Sequence, residues 1–575
     1  MSARRIPMFT SLAGYRRSWL TSDVVAGLTV WAVLVPEALA YATIAGVSPV
    51  VGLYAAVPAL VLYAAFGSSR HLVVGPMAAT AALSAAAVGD IAARSGADFT
   101  QLSAGLALIA GLIALGAGLA RLGFLASFIS GPVLKGFIIG LALTIIVGQL
   151  PKLFGVPKTD GDFFEQAWGL ITHLGDAHGS TLLVGTLSLA VVVGLSRFAP
   201  KIPGSLVAVL AGIAAVPLFD LEAKGVDIVG PIQAGLPHLG VPDLGWSDYG
   251  ALVSSGAGIV LIAFAEGLGA AKTYAARDHY PIDVNRELIG LGAANVGASL
   301  ASGMVVNGSL SKTAVNGEAG ARSQVSGLLV AALTLLTLLF LTGLFENLPE
   351  ATLAAVVVAA VVELIDRWAL VRLWRSYTAA LGGIYGWAAR VDLIAALAAL
   401  FGVLLFDTLP GLFIGIVVSI LLLVYRASRP HVAVLGRQSG EHHWVDLDRN
   451  PDATTEAGIV VVRPEAGLFY ANADNVAAAI SGHVDADTRA VVLDLAAVPA
   501  VDVSAVDMLV ELDDDLARRG VTLCVARDIG QVRDVLDATG AAQLAERFHP
   551  SAEDAVRSLT EPPSGASDTP TPKDP

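Results

Sequence analysis

Two carboxylates and two helix-breaking strings carry the chemistry of an otherwise apolar chain. Glu37 lies in Val35-Pro36-Glu37-Ala38-Leu39-Ala40-Tyr41, and Glu266 in Ala263-Phe264-Ala265-Glu266-Gly267-Leu268-Gly269. A charged group inside a membrane-length apolar stretch costs about 2.5–3 kcal/mol or more on insertion scales, so it needs a use or a partner. One use is proton pickup coupled to the passage of an anion, or cation binding. The alternative is a structural bond to a serine or backbone group. Tyr41 sits one helical turn after Glu37, on the same face. Ala263, Gly267, Gly269 and Ala270 flank Glu266 with small side chains that let a neighbouring helix approach closely. The breakers are Val74-Gly75-Pro76-Met77 and Asn307-Gly308-Ser309-Leu310-Ser311-Lys312. Each is followed by residues that can restart a helix. A restarted helix presents unpaired N–H groups and about half a positive charge at its N-terminus. Two such ends facing each other at mid-membrane form an anion site. Pro76 removes an N–H that would need a partner, Ser309 and Ser311 add hydroxyl donors, and Lys312 adds a full charge. A plain kink in a membrane helix is the alternative at either string. The two carboxylates and two breakers recur in the same order, which favours the paired site. Lys135 and Arg121 read as interface-snorkelling or packing residues.

The elements that must position these residues are membrane spans. The chain has 575 residues, 55% of them hydrophobic and only 15% charged, with a mean hydropathy of +0.70. Ordinary soluble domains are about 25% charged. A single soluble globule and a disordered chain are excluded, and no basic footprint for nucleic acid exists at a net charge of −14. Apolar stretches of about 20 residues, the length that crosses a bilayer, lie near 23–45, 49–66, 71–93, 101–120, 124–150, 180–197 and 203–219. A second set lies near 248–272, 287–302, 309–322, 324–343, 350–364, 390–406 and 411–427. About fourteen spans place both termini on one side. Lys and Arg gather in the loops that are cytoplasmic if the N-terminus is inside, and the opposite-side loop 220–247 carries Asp220, Glu222, Asp227 and Asp243 against Lys224 alone. Seven spans before that loop and seven after it give an inverted repeat. The N-terminus, with Arg4, Arg5, Arg16 and Arg17 before a long first span, is no cleavable signal peptide.

The remainder is chemically different. Residues 436–575 hold 25 acidic and 11 basic side chains, whereas residues 1–435 hold 24 of each sign. The expected division is a cytoplasmic segment 1–22, a transmembrane domain 23–430, an acidic α/β domain 436–558 and a disordered Pro- and Ser-rich tail 559–575. Gly458–Arg463, Ala490–Leu495 and Val521–Val525 read as strands, and Ser504–Gly520 as an amphipathic helix with Ser504 as its N-cap. The single cysteine, Cys524, rules out disulfides within the chain and a multi-cysteine metal site, and reads as a buried strand residue. No nucleotide-binding glycine loop and no catalytic constellation is present, so neither an enzyme nor a cofactor site is expected.

The strings resemble those of the SulP (sulfate permease) anion transporter family. Pro36-Glu37-Ala38-Leu39-Ala40-Tyr41-Ala42 resembles the family's first-span signature, and Gly67-Ser68-Ser69-Arg70-His71-Leu72-Val73-Val74-Gly75-Pro76 its third-span start. Pro132-Val133-Leu134-Lys135-Gly136-Phe137 is a further family string. Asn285-Arg286-Glu287-Leu288 through Asn295, with Gly308-Ser309-Leu310-Ser311-Lys312-Thr313-Ala314-Val315-Asn316, is the most specific. Leu493-Asp494-Leu495 and Val501-Asp502-Val503-Ser504-Ala505 resemble the STAS domain that follows the transport domain. The resemblance implies a transport core and a gate in seven-plus-seven inverted repeats. It implies an anion held near Met77, Ala78, Ala79, Ser309, Leu310, Ser311 and Lys312, coupling through Glu266, and a homodimer. The family often has Arg at the position of Lys312 and Gln at that of Glu37, so Glu37 adds a second protonatable group. In soluble STAS proteins a phosphorylated serine occupies the position of Val503, which cannot be phosphorylated.

The expected protein is therefore a multi-pass plasma-membrane carrier of a small inorganic oxyanion, sulfate first, coupled to protons through Glu266. Alternatives are a bicarbonate or dicarboxylate carrier driven by Na+ or protons, an uncoupled anion channel, and a receptor signalling through the acidic domain. Its expected partners are the anion, the coupling ion, membrane lipid and a second copy of the chain.

Overall fold

The structure, a computed structural model, describes residues 8–12, 14–124, 130–159, 161–199, 202–232, 235–365, 371–372, 375, 384–406, 408–438, 443–527, 530–539, 541, 544 and 547–561. From residue 562 onward the expected tail lies outside the described residues. Two compact units emerge, one of residues 1–380 and 389–419, the other of residues 381–388 and 420–575.

The first unit is helical. Its elements are α1 (Leu20–Ile44), α2 (Pro49–Phe66), β1 (Val73–Gly75), α3 (Ala78–Ser95), α4 (Phe99–Leu119), α5 (Gly131–Phe154), α6 (Phe163–His173), α7 (Gly179–Phe198) and α8 (Gly204–Phe219). There follow α9 (Trp246–Arg277), α10 (Val284–Leu300), β2 (Asn307–Ser309), α11 (Leu310–Glu318), α12 (Val325–Phe340), α13 (Glu350–Leu364), and then α14 (Ile384–Phe406) and α15 (Thr408–Ser428), whose residues 384–388 and 420–428 belong to the second unit. Among the described residues seven helices are long and apolar enough to cross a membrane, and four shorter apolar ones accompany them. Apolar side chains point outward as well as inward; Leu119, Leu183, Phe340 and Phe406 are all exposed, as expected where lipid is the solvent.

Two expected spans differ in kind. At 71–93 the chain is extended through β1 before α3 begins, and at 309–322 the nine-residue α11 follows β2. The reason is local. Val73 and Val74 are β-branched and favour extended backbone, and Pro76 disfavours a helical conformation at Gly75. The short strands then pair with each other and satisfy their own backbone groups. The small residues around Glu266 also meet a different neighbour: β2, not a helix, lies against Gly267. The helix α6 is too short and amphipathic to read as a span, and it starts with a capping box between Asp162 and Glu165.

The second unit carries a six-stranded sheet, order β4-β3-β5-β6-β7-β8, built from β3 (Val432–Arg437), β4 (Trp444–Asp446), β5 (Ile459–Pro464), β6 (Ala490–Asp494), β7 (Thr522–Ala526) and β8 (Phe548–His549). The first three pair antiparallel, and β5 through β8 run parallel. α16 (Ala473–Gly482), α17 (Val503–Arg518), α18 (Gly530–Ala538) and α19 (Ala552–Thr560) complete the layers. Val491, Leu493, Leu509, Leu516, Leu523 and Val525 are buried between sheet and helices. The N-cap of α17 is Asp502, whose carboxylate accepts from the Ala505 N–H at 2.9 Å, rather than Ser504. Gly520, at φ +74, ends that helical segment in the left-handed region that glycine adopts without strain. Cys524 is buried on β7, and burial pushes its thiol up from the usual value, which leaves it inert.

Candidate functional site

β1 and β2 pair antiparallel, with Val73 opposite Ser309, Val74 opposite Gly308 and Gly75 opposite Asn307. Because the strands run in opposite directions, α3 and α11 leave the pair in opposite directions. Their N-terminal ends both lie next to the pair. The sequence-expected juxtaposition of Met77, Ala78 and Ala79 with the 309–312 segment is what this crossing produces.

The crossing is held by side chains from the specific strings. Thr313 Oγ1 accepts from the Val73 N–H at 3.1 Å, and Asn316 Nδ2 donates to the His71 carbonyl at 2.9 Å. Gln324 Nε2 donates to the carbonyls of Ser69 and Leu72 at 3.1 and 2.9 Å. Glu287 accepts from Tyr63 Oη at 2.7 Å and from the N–H groups of Ser68 and Ser69 at 2.8 and 3.0 Å. Asn295 both donates to the Val306 carbonyl and accepts from the Val306 N–H, at 3.0 and 2.9 Å. Buried polar groups placed this way fix one backbone path, because each would be costly unpaired. Asp23 does the same at the start of α12, accepting from the Arg322 N–H and from Ser323 Oγ at 2.6 and 2.8 Å.

At the crossing, Ser309 caps α11, its Oγ accepting from the Lys312 N–H at 3.1 Å, and Ser311 Oγ lies 3.2 Å from Ser309 Oγ. Met77, Ala78 and Ala79 are buried, while Leu310 and Ser311 are exposed. No side chain caps α3, so its first-turn N–H groups keep their capacity to donate.

Lys312 is fully enclosed. Its ammonium lies 2.6 Å from Glu37 Oε2, donates to the Pro76 carbonyl at 3.4 Å, and sits 4.9 Å from the centre of the Tyr41 ring. Glu37 and Tyr41, one turn apart on α1, thus meet the same cation. The expected full positive charge is in place, but Glu37 neutralises it. Glu266 meets β2 at Asn307, whose Nδ2 donates to its Oε2 at 2.9 Å. The same Asn307 turns its Oδ1 to the Gly308 N–H at 2.6 Å. Asn307 reads from sequence as part of a breaker, and nothing in its local context marks it as the partner of a carboxylate forty-one residues earlier.

Two cavities open among the helices of this unit, neither lined by Glu37, Lys312 or Glu266 themselves. One of about 530 Å³ is lined by Ala265, Leu268 and Gly269, beside Glu266, with Arg121, Lys272 and Asn285. The other, of about 560 Å³, is lined by Thr43, Ala82, Ala86, Gln149, Lys152 and Lys158. Basic side chains line both, though the second also includes Asp162 and its Lys152 is paired with Glu350 at 3.0 Å, so the first is the one whose lining favours anions. Arg121, read from sequence as a snorkelling or packing residue, lines the first, and Lys135 does not line either. Among the described residues no cluster of three or more His, Cys, Asp or Glu could hold a metal ion.

A polytopic helical unit organised around two short strands and two helix starts, followed by an α/β unit, defines a membrane transport protein with a water-soluble appendage. The profile of the sulfate permease family matches residues 20–384 and that of the STAS domain residues 450–555, and the chain belongs to the sulfate permease family. It is 38% identical to a probable sulfate transporter of Mycobacterium tuberculosis over 550 residues, covering 95% of this chain and 96% of the relative. It is 30% identical to the chloroplastic sulfate transporter 4.1 of Arabidopsis thaliana, covering 96% and 82%. Its fold is similar to that of murine Solute Carrier 26 family member A9, an anion transporter in the inward-facing state, with a TM-score of 0.84, 22% identity and coverage of 95% and 92%. The transmembrane domain of a cyanobacterial bicarbonate transporter, BicA, matches 70% of this chain and 98% of its own at a TM-score of 0.59 and 22% identity.

Proposed function

We propose that the protein is a secondary carrier of a small inorganic oxyanion, sulfate first, driven by protons that Glu266 takes up. The reading includes fourteen spans in a seven-plus-seven inverted repeat, both termini in the cytoplasm of a plasma-membrane protein, and a homodimer. The observation that carries it is the strand crossing, which brings two helix N-termini, the Lys312–Glu37 pair and Glu266 to one place. The relatives named as sulfate transporters over nearly the whole chain support sulfate as the first substrate to test.

The chemistry follows from charge. An empty site with Glu37 on Lys312 is electrically neutral at that pair. An arriving oxyanion competes with Glu37 for the ammonium and takes N–H groups from the first turns of α3 and α11. Two negative charges in a medium poor in water are expensive to move, because Coulomb and desolvation terms grow as the dielectric falls. A proton on Glu266 removes one charge from the moving unit. Asn307 tolerates both forms of Glu266, since its amide bonds to either a carboxylate or a carboxylic acid.

The test is uptake of labelled sulfate into proteoliposomes with and without an inward proton gradient. Acceleration by the gradient is expected in the native protein. Glu266→Gln keeps the shape but cannot cycle a proton, so it is expected to lose gradient-driven accumulation while still exchanging or binding sulfate. Undiminished accumulation in that variant removes Glu266 from coupling. Equal flux with and without any proton or Na+ gradient favours an uncoupled pore, and competition by bicarbonate or dicarboxylates over sulfate reassigns the substrate.

A further inference from the structure

The second unit carries a basic cavity of its own. It has a volume of about 290 Å³ and is lined by His443, Trp444, Arg463, Arg527, Ser551 and Glu553, with Ala496, Ala497 and Ala552 closing its walls. It lies at the carboxyl ends of parallel strands β5, β6 and β7, where open α/β sheets hold ligands. The first turn of α19 closes one side.

Its lining sets Arg463 and Arg527 against Glu553, with Asp494 buried behind the two arginines. Asp494, fully buried at the end of β6, accepts from Arg463 Nε at 3.0 Å and from Arg527 through both Nε, at 3.1 Å, and Nη2, which leaves the outer edge of the Arg527 guanidinium to the cavity. Glu553 is met by Arg437 Nε and by Trp444 Nε1, each at 3.2 Å. Arg437 does not line the cavity, but its pairing with Glu553 offsets the one carboxylate that does, in a part of the chain that holds 25 acidic and 11 basic side chains. One arginine would satisfy Asp494. The second, Arg527, is 40% exposed at its side chain and sits at φ +53, a left-handed backbone conformation that strains a non-glycine residue. Such strain persists where the surrounding structure holds a side chain to a task. Asp494 fixes both guanidiniums in register, with Arg463 further braced by the Trp444 carbonyl at 3.2 Å. Ser551 caps α19 through the Asp554 N–H at 3.0 Å, which leaves the N–H groups of Ala552 and Glu553 as first-turn donors.

We propose that this cavity binds a tetrahedral oxyanion, either a sulfate ion or the phosphate group of a small metabolite. Arg527 and Arg463 supply the charge, and the first-turn N–H groups of α19 supply neutral donors. Guanidinium forks match the paired oxygens of such anions. The site is independent of the membrane crossing, and its failure leaves the transport reading unchanged.

Hydrogen–deuterium exchange on the full-length protein tests it, because the readout is local. The probes are sulfate, inorganic phosphate and pyrophosphate, each against sodium chloride at equal ionic strength. Slower exchange in peptides covering Ala552–Thr560 and Thr522–Arg527 is expected with at least one probe. Arg527→Gln should raise the required concentration about tenfold, and Arg527→Lys, which keeps a point charge, should raise it less. Protection by sulfate alone identifies the free anion as ligand; protection by phosphate or pyrophosphate with sulfate inert identifies a phosphorylated one. No protection beyond sodium chloride by any of the three overturns the proposal. So does equal protection in native and Arg527→Gln proteins whose exchange elsewhere in the unit is unchanged. If Arg527→Gln unfolds β7, the native protein and Arg527→Lys decide by the same readouts.

Discussion

Lys312 brings a full charge into an enclosed place, and Glu37 answers it at 2.6 Å. Removing one partner of a buried pair leaves the other uncompensated, which typically costs about 3–5 kcal/mol. Lys312→Met is therefore expected to lower thermal stability and abolish measurable anion affinity together. Adding Glu37→Gln should restore most of the stability, but not the affinity. Glu37→Gln alone removes the competitor and leaves the ammonium to the anion. Its apparent sulfate affinity should rise, by up to about tenfold, equivalent to about 1.4 kcal/mol. A melting curve and a sulfate titration of the three variants check this. Affinity unchanged in both the double variant and Glu37→Gln would mean that the anion never meets Lys312. At this scale the sequence already showed both carboxylates, Tyr41 and Lys312. It could not show which pairs with which, because Glu37 and Lys312 come together only through a crossing of distant segments.

The crossing itself is the element that local patterning concealed. Three-residue strands are too short for alternation to show. Gly75-Pro76 marks a break, but the partner strand lies more than two hundred residues away. Long apolar helices were legible, since hydropathy is a local signal and α2, α7 and α13 fall within a residue or so of their expected bounds. The N-cap of α17 shifted to Asp502 because both Asp502 and Ser504 are competent caps and only backbone geometry chooses between them. The crossing depends on close backbone contact. A Cβ added to Gly308 would stand 2.9 Å from the Gly267 Cα and 3.0 Å from Leu72 Cδ1, whereas one added to Gly267 would stand 3.4 Å from its nearest neighbour. Gly308→Ala should therefore push β2 off α9 and separate Asn307 from Glu266, at about 1–3 kcal/mol of overpacking. Gly267→Ala should be close to native. Proton-driven sulfate uptake and melting temperature of the pair test this; equal behaviour of the two variants would mean that β2 tolerates displacement without consequence for coupling.

At the scale of the whole chain, charge and packing divide it at nearly the same place. The 140 residues from 436 onward carry the entire net charge of −14, and the compact units separate at Ser419 and Ile420, within α15. Each unit closes its own core: strands β5 to β7 bury their apolar faces against α16 to α19, and the crossing is built wholly from the first unit. None of the groups placed at the anion site comes from beyond Lys312. Truncation after Arg429 cuts the bonds that Asn472 and Asn475 Nδ2 donate to the carbonyls of Ala427 and Ser428, at 3.3 and 3.0 Å. Those carbonyls end a helix, where water or a basic side chain can replace such partners. The truncated protein is therefore expected to bind sulfate with an affinity within a few fold of the full chain, while its transport rate or assembly falls. A titration of purified, monodisperse truncated protein measures the first, and proteoliposome flux with size-exclusion analysis measures the second. If a folded truncation fails to bind sulfate at all, the acidic unit is required for the membrane site, and the separation of binding from regulation at Arg429 does not hold.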